Sequence, residues 1–158
     1  MAKAKAKAKK GEPDALDLLE QDHQSVKKSF KKFEKMDHED QASMRELVQI
    51  VCQELKVHTA IEEEIFYPAV REEIDDDDLM NEATVEHDSA KQLIEQLEGM
   101  DADDPLYAAT FTVLGEYVNH HIEEEESEMF KAVRKTDLDL AELGRQMMER
   151  KEELMAAA

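Results

Sequence analysis

Cysteine is nearly absent from this chain. Cys52 is the single thiol, so no intrachain disulfide can form, and a reducing compartment fits. Tryptophan is missing, and the 158 residues hold only four glycines and three prolines. With so few breakers and no period-2 run of Val, Ile or Thr, all-α is the expected fold class. There is no run of about 18 apolar residues, so no membrane span is expected. The lysine-rich start has no apolar stretch after it and does not read as a signal peptide. These absences lead to the expectation of a cytoplasmic helical protein. The length can bury a core without covalent staples, and one domain is the natural prior.

What is abundant is negative charge. There are 40 acidic and 20 basic residues, a net charge of −20. Five of the lysines lie in the first ten positions, so the acidic excess of the remainder is larger still. Such a surface argues against sequence-specific nucleic-acid binding by the folded part. Residues 1–12, MAKAKAKAKKGE, have no apolar face and are expected to be a disordered, solvated tail. The other reading of that tail is a basic arm that contacts polyanions.

Hydrophobic periodicity predicts four long helices and a shorter fifth. The first spans about Asp14–Met36 and the second Gln41–Glu73, with Pro68 expected to kink or end it. The run Asp75–Asp78 precedes a third helix that stops near Glu98 and Gly99. Asp104-Pro105 is expected to cap a fourth, which extends to about Lys135. The last, about Asp137–Met155, carries Leu140, Leu143, Met147 and Leu154. Short connections make an up-down-up-down four-helix bundle over residues 13–136, with residues 137–158 as a packing helix.

Each long helix carries a histidine at the centre of its apolar stripe. The stripes are Leu16, Leu19, His23, Val26, Phe30, Phe33; Val48, Val51, Leu55, His58, Glu62, Ile65, Ala69; Met80, Ala83, His87, Ala90, Ile94, Leu97; and Leu114, Val118, His121, Glu125, Met129. Four imidazoles and two carboxylates buried together are costly unless something satisfies them, and a metal centre does so. His58–Glu62 and His121–Glu125 are both HxxxE pairs, whose members share one helix face about 5–6 Å apart. One ion can take both. Two facing pairs present two carboxylates able to bridge a pair of ions, with His23 and His87 adding ligands.

Neighbouring positions compete for these roles. His121 lies on the stripe and is preferred over His120. Glu125 is preferred over Glu124 and Glu126, and Glu63 and Glu64 are expected to face solvent. His38 reads as a loop histidine, and Phe30, Phe33, Phe66, Phe111 and Phe130 as core. Met147 and Met148 read as packing for the last helix, and Cys52 as a buried, inert thiol. Two segments echo one another, HTAIEEEIFYPAV and HIEEEESEMFKAV, as related helix pairs would.

The segments QDHQSVKKSF, KVHTAIEEEIFYP, EHDSAKQLI and NHHIEEEESEMF resemble the hemerythrin family, the HHE cation-binding domains, over roughly residues 14–135. The resemblance implies a four-helix bundle with an oxo-bridged di-iron centre that binds oxygen or nitric oxide. It implies His23, His58, Glu62, His87, His121 and Glu125 as ligands, with Glu62 and Glu125 bridging. Oxygen carriers of that family place a second histidine four residues earlier on the third helix, where this chain has Ala83. A replacement ligand is sought among His120, Glu86, Tyr117 and His38. The imidazole–carboxylate set suits iron, with manganese or zinc ranked behind it.

The expected function is oxygen or nitric oxide binding in sensing, scavenging or stress protection, more binding protein than enzyme. One alternative is a di-iron enzyme, either an oxidase or peroxidase of ferritin type or an iron donor for iron–sulfur cluster repair. Another is a metal-free helical interaction module.

Overall fold

A computed structural model describes residues 12–158. The lysine–alanine tail, apart from Glu12, lies outside the described residues. Helix α1 spans Ala15–Lys35, α2 Gln41–Ile61, α3 Tyr67–Glu73, α4 Asp77–Glu98, α5 Tyr107–Glu124, α6 Phe130–Val133 and α7 Leu140–Ala156. Among the described residues there is no strand, and no helix is long and apolar enough to cross a membrane. A π-helical turn, Glu62–Phe66, joins α2 to α3, and a second, Glu125–Met129, joins α5 to α6. The described residues therefore make four long rods and a fifth helix.

Side-chain oxygens set several helix starts. Asp14 accepts from the Asp17 amide while Asp17 accepts from the Asp14 amide, a reciprocal cap for α1. Asp40, Asp76 and Asp139 cap α2, α4 and α7 in the simpler way. The expected start at Asp104-Pro105 is displaced. Asp104 instead closes a turn, its carboxylate accepting from the Leu106 amide at 2.8 Å, and α5 begins at Tyr107. The last helix starts at Leu140 rather than Asp137, because Asp139 is the residue that caps it.

Pro68 does not end the second rod. Helical backbone continues to Glu73, and the proline sits in the first turn of α3, behind the π turn. No proline lies in or after the second π turn, so Pro68 is not what both turns have in common. Their shared feature is position: each opens on the glutamate of an HxxxE pair.

The wide turns shift the register. The Tyr67 amide bonds back to the Glu62 carbonyl, and the Phe130 amide to that of Glu125, which inserts one residue into the helical repeat. The straight stripe expected Ile65 and Ala69 to point inward. Phe66, Tyr67 and Val70 are buried instead, and Ile65 and Ala69 are half-buried.

In space α1, α2, α4 and α5 are cyclic neighbours, and α7 lies across α1 and α2. The apolar core is divided in two. One cluster contains Phe30, Phe33, Val51, Phe111 and Leu114; the other contains Leu19, Phe66, Met80, Phe130 and Met147. Each stripe histidine falls at the boundary: His23 lies between Leu19 of the second cluster and Val26 of the first. The polar residues thus form a belt across the middle of the bundle. All five phenylalanines and Cys52 are buried; burial, with the Glu98 charge nearby, pushes the Cys52 thiol up to about 12. Met147 is buried and Met148 half-buried. His38 packs on Phe33, with its Nε2 2.8 Å from the Phe33 carbonyl oxygen.

Candidate metal centre

His23 of α1, His58 of α2, His87 of α4 and His121 of α5 converge with Glu62 and Glu125 in the belt. Glu62 and Glu125 are 0% and 2% exposed. Their neighbours Glu64 and His120 are exposed; Glu64 pairs with Arg150 and the His120 side chain is 64% open to solvent. Helical phase accounts for the choice, because one residue along the helix is about 100° of rotation.

Two groups of donors form. His23, His58 and Glu125 offer atoms within 4.8 Å of one another, and so do Glu62, His87, His121 and Glu125. Glu62 Oε1 lies 3.0 Å from His58 Nε2 and 3.3 Å from His87 Nε2. Glu125 Oε1 lies 3.3 Å from His23 Nε2, and its Oε2 is 3.0 Å from His121 Nε2. His23 Nε2, His58 Nε2, both Glu62 oxygens, His87 Nδ1 and Glu125 Oε1 are buried without a hydrogen-bond partner. The His58–Glu62 pair is close enough for ionic attraction yet misaligned for a hydrogen bond. Native proteins rarely strand so many buried polar atoms together. Apart from His87 Nδ1, which faces outward to Glu63, these donors are aimed at common points rather than bonded to each other, as a bound cation requires, and the donor set fits one.

Tyr67 is a site residue that sequence reasoning missed. Its hydroxyl donates to Glu125 Oε2 and lies 3.1 Å from His87 Nε2 and 3.3 Å from His121 Nε2. The π turn carries it there. The echo between the two segments places Tyr67 and Phe130 in equivalent positions, nine residues after His58 and His121. Phe130 stacks on His23, and Tyr67 packs on His87. One half of the centre thus gains a polar oxygen where the other has an aromatic carbon edge. Burial drives the Tyr67 phenol well above its usual range, reinforced by the charges of Glu125 and Glu62. None of the residues considered as a replacement near Ala83 reaches the inner positions. His120 and Tyr117 are exposed, His38 is on a loop, and Glu86 meets the centre at the outer nitrogen of His121.

Around the inner residues runs a ring of outer carboxylates. Asp22 Oδ2 is 2.9 Å from His58 Nδ1, Glu86 Oε1 is 3.1 Å from His121 Nδ1, and Glu126 Oε1 is 3.0 Å from His23 Nδ1. Glu63 Oε2 lies 3.6 Å from His87 Nδ1, a looser approach. Each acid is the sequence neighbour of an inner residue on its own helix and serves a histidine of the next helix. The order α1, α2, α4, α5 and back to α1 closes a circle. A position adjacent to the inward stripe points sideways at the neighbouring helix, which is why the pattern repeats. Glu63 and Glu126 are therefore half-buried partners of histidines, and the expectation that Glu63 faces solvent is corrected. A carboxylate accepts but cannot donate, so it holds the proton on Nδ1 and leaves Nε2 free to face inward.

The electrostatics favour positive charge at the centre. Burial works against a charged His58, yet Glu62 and Asp22 push it up to about 10. Burial likewise opposes a charged His121, and Glu125 and Glu86 raise it to about 11. Glu125 is held well below the usual carboxylate range against its burial by bonds from His121 and His23. A cavity of about 30 Å³ touches all four histidines and is otherwise walled chiefly by apolar side chains such as Leu55, Ile94 and Val118. It has room for one or two water-sized molecules.

A ring of carboxylate-held histidines around two buried glutamates could hold a cation by its chemistry, and comparison with known proteins agrees. The Hemerythrin HHE cation binding domain matches residues 14–133. The chain belongs to this hemerythrin family. The crystal structure of an HHE cation-binding domain-containing protein from Mycobacterium kansasii, an Rv2633c homolog, superposes with a TM-score of 0.78 at 24% identity. The match covers 92% of this chain and 89% of that one, and it shows the shared fold. A DNA nickase from Nostoc sp. (strain PCC 7120) is 28% identical over 118 residues. That stretch is 75% of this hemerythrin-family chain and only 33% of the nickase, so the chain spans about a third of that relative's length.

Proposed function

We propose that the protein holds two iron ions and uses them to bind oxygen or nitric oxide, in sensing, scavenging or stress protection. The carrying observation is the convergence of five unpartnered buried donor atoms (His23 Nε2, His58 Nε2, both Glu62 oxygens and Glu125 Oε1) beside a small, mostly apolar cavity. His23 and His58 would serve one ion, and His87 and His121 the other. Glu62 and Glu125 would be shared between the two, and the Tyr67 hydroxyl, beside His87 and His121, would be a further oxygen available to the second. Iron there would supply redox-active coordination positions for a diatomic molecule. The chain's own residues do the rest: Asp22, Glu86 and Glu126 fix histidine tautomers, and Leu55, Ile94 and Val118 limit water. Iron is preferred over zinc because structural zinc more often uses cysteine in a closed tetrahedral set, and no cysteine lies here.

Metal analysis with an absorption spectrum, before and after air and nitric oxide, tests this reading. Two irons per chain and a spectrum that responds to either gas are expected. One metal or none, or no response, defeats it.

The nickase likeness does not lead us to a DNA-directed role. The acidic excess of the folded part repels phosphate. Supercoiled plasmid incubated with the iron-loaded protein is expected to stay intact.

A further inference from the structure

The four outer carboxylates are not equivalent. Among the described residues, Glu86 and Glu126 form no ion pair with a lysine or arginine side chain, whereas Glu63 is held by Lys91 of α4 at 2.7 Å and Asp22 by Lys151 of α7 at 2.6 Å. Lys151 is unlike the other groups of the ring. It comes from a helix that lies beyond the family match, which ends at residue 133, and that crosses the outside of the bundle. The line from it inward is continuous: Lys151 Nζ to Asp22 Oδ1, Asp22 Oδ2 to His58 Nδ1 at 2.9 Å, and His58 Nε2 to Glu62 at 3.0 Å. Asp22 is 13% exposed and Lys151 31%, so this ion pair is partly shielded from solvent.

Helix α7 is also firmly seated. Met147 is fully buried, and Arg150 grips Glu64 of the first π turn at 2.8 and 3.3 Å. Gly144 lies against the start of α1, where even a Cβ would meet backbone atoms of Asp14 and Ala15 at 2.7–2.8 Å. The helix thus touches both the segment that carries Glu62 and the acid that orients His58.

We propose that Lys151 is a positioning residue through which α7 sets the electron-donating strength of His58. The proposal rests on the di-iron reading above. An Asp22 carboxylate shared with an ammonium group pulls less on the His58 Nδ1 proton. The imidazole is then a weaker donor at Nε2, which favours the reduced metal. Removing the ammonium lets Asp22 pull harder, makes His58 the stronger donor and favours the oxidised metal.

The test is redox titration of the iron-loaded full chain. Lys151→Gln is expected to lower the midpoint potential, and Lys151→Arg to stay near the parent. Arg145→Gln removes the same unit charge from the same helix, but among the described residues Arg145 forms ion pairs with Glu142 and Glu149 alone; it is expected to change nothing. A Lys151→Gln potential that holds or rises, or an equal shift in Arg145→Gln, overturns the proposal. Iron content of the parent protein separates the two readings, since absence of iron there defeats the di-iron assignment itself. In that case the metal-free chain still decides on Lys151. The His58 Nδ1 proton resonance should move downfield in Lys151→Gln and not in Arg145→Gln, and an unmoved resonance overturns the proposal.

Discussion

At the scale of single residues, one step along a helix decides between a buried donor and a solvated one. Glu62→Ala and Glu125→Ala are each expected to reduce bound iron from two per chain to one or none. Glu64→Ala and Glu124→Ala are expected to leave two, by metal analysis after aerobic loading. The reverse outcome would place the wrong glutamates inward. These choices were legible because the apolar stripe fixes helical phase. Tyr67 was not legible, since its position depends on a turn that breaks that phase. The outer acids were half legible: Asp22, Glu63, Glu86 and Glu126 each adjoin an inner residue, yet which histidine each serves depends on which helix stands next to it.

At the scale of elements, the two π turns and α7 shape the centre. Gly144 is where α7 meets α1, and the atoms facing it are backbone that cannot swing aside. Gly144→Ala is expected to destabilise the fold by about 1–3 kcal/mol through overpacking, read from the denaturant midpoint at unchanged slope. Gly115 provides a comparison, because its added Cβ would meet the Phe30 ring at 2.9 Å, a side chain with some freedom to shift. Gly115→Ala should cost less than Gly144→Ala in the same measurement.

At the scale of the whole molecule, the centre couples folding to protons and to metal. In the metal-free protein His58 and His121 titrate near 10 and 11, above their ordinary value of 6.5. Their stabilising contribution is full below pH 6.5 and is lost as pH rises through those higher values. Glu125 acts in the opposite sense: held below its ordinary 4.5, it contributes above that pH, and the contribution is lost in acid. Thermal melts of the metal-free protein should therefore peak between about pH 4.5 and 6.5. Metal competes with these protons, so iron affinity should rise with pH across the same range. Free metal at a hundred times its Kd adds about 2.7 kcal/mol, and for a domain this size that is a rise of about 5–10 °C in Tm. Removing the metal with a chelator should reverse it, and melts that coincide with and without iron would point to a metal-free module.

Composition and periodicity alone determined that this chain is helical, that it makes long rods, and that His23, His58, Glu62, His87, His121 and Glu125 share inward faces. Those properties are local, set by helix propensity and by a repeat of 3.6 residues. Only the tertiary structure decided that the repeat slips by one residue after Glu62 and Glu125, that a phenol enters the belt, and that each helix lends an acid to the next. It also decided that a lysine from α7 stands behind Asp22. These features arise from contacts between segments far apart in the chain, and no local pattern records which segments will meet.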